Sequence, residues 1–296
     1  MPRTATIAVA QPLRRRPGLG EPRMTVREHL AQSLEWIRRA PAGSDILCFP
    51  ELFSSASIAG EKTRPYAALS RHTPQFLEVL GKAAAKRRMH LVLCLPHANR
   101  NVTFILDRRG RVVGQYDKAH LTLGERARGI TEGTALPVFE LDFGRIGVLV
   151  CYDLYFPEQA RAMALAGAEV LFHPTRIMNH PSEKGFEALC LARAVENVCW
   201  FAASSFCPPP PFEYGSWQAR SFVANPDGMI LAEVGHEPGV TAATIDFSLR
   251  ECRLTGFTWD EFRSLRRPEL YSILTERSTA QGGMAVTKKI ARKRTI

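Results

Sequence analysis

The strongest constraint on the fold is a series of continuous apolar runs, each about the length of one strand. TATIAVAQP opens the series, and DILCFP, HLVLCLP, RIGVLV, AEVLFHP and VCWFAASS follow along the chain. Runs of this kind, lacking polar alternation, belong in sheets covered on both faces. A helix is predicted from about Thr25 to Arg39, with Leu30, Leu34 and Ile37 on one face, and a second from Pro74 to Arg88 behind a capping candidate at Thr73. Glu158 to Ala166 and GFEALCLARAVEN read as further helices. VTFILD and RVVGQYD around RRG form one predicted hairpin, and ARSFVANPDGMILAEVG around Asn-Pro-Asp-Gly forms another. No linker interrupts the alternation, which predicts one continuous α/β domain over residues 1–275 and a basic, flexible tail over 276–296.

At 296 residues and 45% hydrophobic, the chain has material for a sizeable core. The net charge of +10 is no footprint of nucleic acid, because Lys288, Lys289, Arg292, Lys293 and Arg294 concentrate half of it in the terminal KKIARKR, and aromatic platforms are lacking. No apolar run reaches the roughly 18 residues of a membrane span, and MPRTATIAVAQP lacks the apolar stretch of a signal peptide, so the expected compartment is the cytoplasm. Seven scattered cysteines, without a CxxC pair, point to neither a disulfide framework nor a metal site. Most are expected to be small buried hydrophobes.

Three strings place a reactive side chain at the end of an apolar run: FPELF with Glu51, YDKAHL with Lys118 and LVCYDLYFPE with Cys151. Taken singly, such a glutamate is usually a cap, such a lysine solvated and such a cysteine core. Together they suit amide hydrolysis, which needs a strong nucleophile, a proton for the departing nitrogen and positive charge where the oxyanion forms. Cys151 attacks, Glu51 serves as general base and then acid, and Lys118 holds the oxyanion with the N–H of Tyr152 as second donor. Lysine beside cysteine is expected to lower the thiol pKa. This chemistry requires no metal and no organic cofactor.

Those strings, with AEVLFHPT, ARAVENVCWF, NPDG and RRPELY in support, resemble the nitrilase superfamily of carbon–nitrogen hydrolases from Ile7 to about Tyr271. The resemblance implies a four-layer αββα sandwich and assembly into homodimers or larger homo-oligomers. It also implies a second glutamate after the lysine. Glu125 in LTLGERARGITEG fits best, with Glu132 as the fallback.

Tyr152-Asp153 after the nucleophile is similar to the amidase and N-carbamoyl amidase branches, whereas nitrile-cleaving branches tend to carry Trp-Glu there. Asp153 reads either as a capping carboxylate or as a catalytic one. Tyr155 stands where many relatives have arginine, removing a carboxylate anchor. Tyr152, Tyr155, Arg176 and Asn179 are the candidate substrate contacts, Arg176 being either a carboxylate clamp or a structural ion-pair partner. The Pro-rich stretch between Phe206 and Gln218 is either a site wall or a structural loop, and His120, His173 and His180 lack metal-ligand spacing. The expected activity is hydrolysis of a small linear amide or N-carbamoyl amine through a cysteine thioester. Nitrile hydrolysis and a non-catalytic scaffold on the same fold are the alternatives.

Overall fold

Each apolar run becomes a strand because its backbone is hydrogen-bonded on both edges while its side chains are buried on both faces. A computed structural model describes residues 3–13, 24–54, 69–176, 183–207, 220–252 and 256–276. Besides a short pair of strands at Glu251–Cys252 and Phe257–Thr258, the strands are β1 (Thr4–Gln11), β2 (Ile46–Cys48), β3 (His90–His97), β4 (Arg100–Leu106), β5 (Val112–Asp117), β6 (Phe139–Glu140), β7 (Arg145–Val148), β8 (Val170–Pro174), β9 (Trp200–Ser204), β10 (Phe222–Ala224), β11 (Ile230–Glu233) and β12 (Gly239–Asp246). These twelve form two six-stranded sheets, ordered β12-β1-β2-β3-β4-β5 and β11-β10-β9-β8-β7-β6. In each, three adjacent strands run parallel, β1-β2-β3 and β7-β8-β9, and antiparallel strands flank them.

The helices are α1 (Val26–Arg39), α2 (Thr73–Arg87), α3 (Leu123–Ala127), α4 (Pro157–Leu165), α5 (Glu183–Val195) and α6 (Trp259–Ser264). Helix α1 starts at a complete capping box, in which Thr25 and Glu28 satisfy each other's backbone N–H groups. Leu30, Trp36 and Ile37 of α1 and Phe76, Leu80 and Ala84 of α2 pack on Ala8, Leu47, Leu91 and Leu93 of the first sheet. Thr73 does not cap α2 as expected. His72 takes that position without a side-chain bond, while Thr73 is buried and donates its hydroxyl to the carbonyl of Pro96.

On the second sheet, Met163 of α4 lies against Gly147 of β7, and Phe186 of α5 packs edge-on against Phe222 of β10. The inner faces of the two sheets meet. Ser204 Oγ of β9 donates to the carbonyls of Ala10 at 2.8 Å and Cys48 at 3.1 Å, and the N–H of Ser221 donates to Gln11 Oε1 at 2.8 Å. The result is the αββα sandwich expected from the resemblance.

β12 escaped the sequence reading. GVTAATID is only partly buried, yet it pairs along the whole of β1, from Thr4 opposite Asp246 to Gln11 opposite Gly239. Among the described residues, 260–276 belong to a second unit, made of the remainder of α6 and 3-10 turns at Pro268–Leu270 and Ser272–Leu274. Leu265, Leu270, Ile273 and Leu274 of that unit are exposed. Among the described residues, no helix is long and apolar enough to cross a membrane.

Candidate active site

The carboxyl ends of β2, β5, β7 and β8 bring the site together. Glu51 follows β2, Lys118 follows β5, Cys151 opens a 3-10 turn (Cys151–Tyr155) just beyond β7, and Arg176 lies beyond β8. Two non-glycine residues here hold left-handed backbone: Leu52, next to Glu51, has φ 51° and Cys151 has φ 50°. Such conformations cost on the order of 1–3 kcal/mol each and persist only where their surroundings enforce them. Behind Lys118 the chain passes so closely that any side chain at Gly133 would strike the carbonyl of Asp117, while the Gly133 N–H donates to the Lys118 carbonyl at 2.9 Å.

Lys118 is 1% exposed, and its ammonium lies 3.0 Å from Glu51 Oε1 and 3.0 and 2.9 Å from the two oxygens of Glu125. Burial works against the ammonium charge, but the Glu51 and Glu125 carboxylates outweigh it and hold Lys118 protonated well above the usual lysine range. Burial likewise disfavours the charged form of Glu125, but Lys118 and Thr122 overcome this and keep the carboxylate below its ordinary range. The LTLGE string explains how Glu125 is fixed. Thr122 and Glu125 form a capping box on α3, with Thr122 N–H donating to Glu125 Oε2 at 2.9 Å and Glu125 N–H donating to Thr122 Oγ1 at 3.2 Å. The fallback, Glu132, is paired with Arg126 and is not at the ammonium.

The Glu51 carboxylate and the main-chain N–H of Arg176 act on the Cys151 thiol, the first raising and the second lowering its pKa. The expectation that Lys118 lowers this thiol is overturned. Burial and the neighbouring Glu51 charge outweigh Lys118 and push Cys151 up to about 12. Cys151 is therefore held as a neutral thiol beside a carboxylate.

Asp153 is fully buried and accepts from Tyr116 Oη at 2.7 Å, Val150 N–H at 2.8 Å and His120 N–H at 2.9 Å. It fastens the turn carrying Cys151 to the segment carrying Lys118, which is the capping alternative of the sequence reading extended across the site. Gln159 adds a bond to Tyr116 Oη at 2.8 Å, and His120 stacks on Phe156 with 3.7 Å between centroids. His173 is buried, with Nδ1 2.8 Å from the carbonyl of Leu149.

Tyr152 and Tyr155 stand at the rim beside Cys151, 36% and 42% exposed, with rings 5.5 Å apart. The Tyr152 N–H belongs to the opening of the turn, ahead of its first closing bond from Asp153 N–H to the Val150 carbonyl. Arg176 is partly buried, and its Nε is enclosed without a hydrogen-bond partner among the described residues. Asn179, His180 and the Pro-rich segment at 208–219 lie outside the described residues.

A family model described as carbon-nitrogen hydrolase matches residues 6–253. The chain belongs to the carbon–nitrogen hydrolase family. Among its relatives, N-carbamoylputrescine amidase from Solanum lycopersicum is 34% identical, covering 78% of this chain and 84% of that protein. The 2-oxoglutaramate amidase from Bacillus subtilis is 29% identical, over 74% and 85% of the two chains. A variant of the amidase from Nesterenkonia sp. AN1, solved with an acetamide moiety added at its active-site cysteine, superposes with a TM-score of 0.73 at 25% identity, covering 90% of this chain and 95% of that one. This carbon–nitrogen hydrolase is thus an enzyme of the amidase kind anticipated from its strings.

One residue at the centre of the cluster was not singled out in the sequence. Asn101, at the start of β4, is fully buried and donates from Nδ2 to Glu51 Oε1 at 2.7 Å and Glu125 Oε1 at 3.3 Å. Its one sequence signal is an amide directly ahead of the apolar VTFIL.

Proposed function

We propose that this carbon–nitrogen hydrolase cleaves a small linear amide or N-carbamoyl amine, with Cys151 as nucleophile, Glu51 as general base and acid, and Lys118 as oxyanion stabiliser supported by Glu125. The convergence of these four side chains at one buried point carries the reading. As Sγ attacks the carbonyl carbon, the thiol proton passes to Glu51. The oxyanion is held by the Lys118 ammonium and the Tyr152 N–H. Collapse expels ammonia or an amine, which takes the proton from Glu51 and leaves a thioester on Cys151. Glu51 then removes a proton from water as its oxygen attacks the thioester, and the departing sulfur recovers that proton with release of the acid.

Two carboxylates around one lysine suit this cycle. The ammonium stays charged while Glu51 alternates between its forms, because Glu125 remains ionised. Tyr152, Tyr155, Arg176 and Asn179 are the proposed substrate contacts, and the substrates named for the tomato and Bacillus relatives indicate the size and linearity of the class. Free thiols, one of them the nucleophile, suit a reducing compartment such as the cytoplasm. The exposed Leu265, Leu270, Ile273 and Leu274 suit contact with a second copy, giving a homo-oligomer.

Ammonia release from a panel of carbamoyl amines, ω-amides and acyl amides tests the activity. Intact mass measured during turnover is expected to carry the acyl or carbamoyl group on Cys151. Turnover by Cys151→Ala would overturn the reading.

A further inference from the structure

Two buried carboxylates, Glu51 and Glu125, share Lys118, and the distances leave a question about Glu51: which of its oxygens receives the thiol proton. Lys118 Nζ at 3.0 Å and Asn101 Nδ2 at 2.7 Å both donate to Oε1. No described nitrogen donates to Oε2. The Asn101 amide is itself held on every side: Oδ1 accepts the thiol of Cys94 at 3.0 Å, Nδ2 reaches Glu125 Oε1 at 3.3 Å, and the main-chain carbonyl accepts the N–H of Lys118 at 2.9 Å.

We propose that Asn101 is a positioning residue of the reaction: by occupying Oε1 of Glu51 it turns Oε2 toward Cys151 as the basic oxygen and sets the spacing of Glu51, Glu125 and Lys118. The proposal rests on the assignment of Glu51 as base. Asn101 reaches the reacting atoms only through Glu51 and Lys118. Its N–H donates to a carboxylate out of water, a charge-assisted bond that favours the ionised acceptor. The amide cannot rotate to present its oxygen to Glu51, because the Cys94 thiol then loses its acceptor and two oxygens face each other. Cys94 is buried and pushed well above the ordinary thiol range, by burial first and then by Glu51, so it remains a neutral donor. The arrangement gives a small neutral side chain control over a neighbouring charge.

Alkylation of Cys151 by iodoacetamide tests this without knowledge of the substrate. The thiol proton passes to Glu51, sulfur bonds to the methylene carbon and iodide leaves. Rates are read by mass spectrometry from pH 4 to 9 (roughly the span over which carboxylates and histidine titrate) for wild type, Asn101→Leu and Val102→Ala. Val102→Ala trims buried volume on the same strand without touching the carboxylates. Asn101→Leu is expected to slow alkylation about 10- to 100-fold and to move the acid limb up by about one pH unit, whereas Val102→Ala keeps the wild-type limb. If Asn101→Leu loses its near-ultraviolet circular dichroism, Asn101→Ser replaces it, with the same expectation.

An unshifted acid limb in the folded Asn101 variant, whatever its overall rate, overturns the proposal, because uniform slowing is the mark of a packing defect. If Glu51→Gln leaves the alkylation rate and limb of wild type unchanged, the base assignment itself fails, and the role of Asn101 falls with it.

Discussion

Both oxygens of the Glu125 carboxylate lie within 3.0 Å of the Lys118 ammonium, although neither residue has meaningful access to water. Removing one partner of a buried ion pair leaves the other uncompensated and costs about 3–5 kcal/mol. Lys118→Met, which leaves two carboxylates facing each other, is expected to lower the urea midpoint strongly and to abolish turnover. Glu125→Gln keeps the shape and the Thr122 contact, so it is expected to fold but lose about 100-fold or more in kcat. Parallel urea titrations and steady-state kinetics separate the two effects.

The Asp153 carboxylate links three donors from two segments, and loss of those bonds strands buried N–H and O–H groups. Asp153→Ala is expected to destabilise the fold by roughly 3 kcal/mol, given about 1–3 kcal/mol per stranded group and partial relaxation. Because Cys151 sits at φ 50° in the turn that Asp153 fastens, its alkylation slows even at temperatures where the variant remains folded. Thermal unfolding and iodoacetamide labelling of one sample check both outcomes.

His173 gives the stability a definite acid dependence. Burial depresses its imidazole from 6.5 to about 4, so between those values the unfolded chain binds a proton that the folded one refuses. Stability from this site is full above pH 6.5 and is lost as pH falls toward 4, by at most about 3 kcal/mol. Unfolding free energies of wild type and His173→Asn are expected to converge in slope below pH 4 and to differ in slope between pH 4 and 6.5.

Amides and nitriles of matched carbon skeleton distinguish the two hydrolytic chemistries. With Tyr152-Asp153 directly after Cys151, ammonia release from the amide is expected to exceed that from the nitrile by about 100-fold in kcat/KM, a difference of roughly 3 kcal/mol in transition-state stabilisation. Faster release from the nitrile would reverse the amidase assignment.

Glu51, Lys118 and Cys151 were legible because each ends an apolar run, and strand ends are where an α/β fold gathers its chemistry. Glu125 was preferred to Glu132 through the family resemblance, and the T-x-x-E capping box that fixes it is a local pattern the structure reveals. Asn101 was not legible, since the groups that give it meaning lie 50 and 24 residues away in sequence. β12 was hidden for a related reason: an edge strand with partial burial has little apolar signature, and its partner lies at the other end of the domain. The thiol shift was misjudged because adjacency to lysine can be inferred from motifs, whereas the burial that dominates it depends on the completed fold.

The site draws Glu51, Asn101 and Lys118 from one sheet and Cys151 and Arg176 from the other, so it does not exist in either half alone. Ser204, bonded to the carbonyls of Ala10 and Cys48, is part of the seam between them. Any folding intermediate that has built one sheet but not joined it to its mate has the Cys151 thiol without the Glu51 carboxylate. Chemical reactivity at Cys151 therefore serves as a stopwatch for the closing of the two halves, since only the joined sheets set Glu51 and Lys118 beside that thiol.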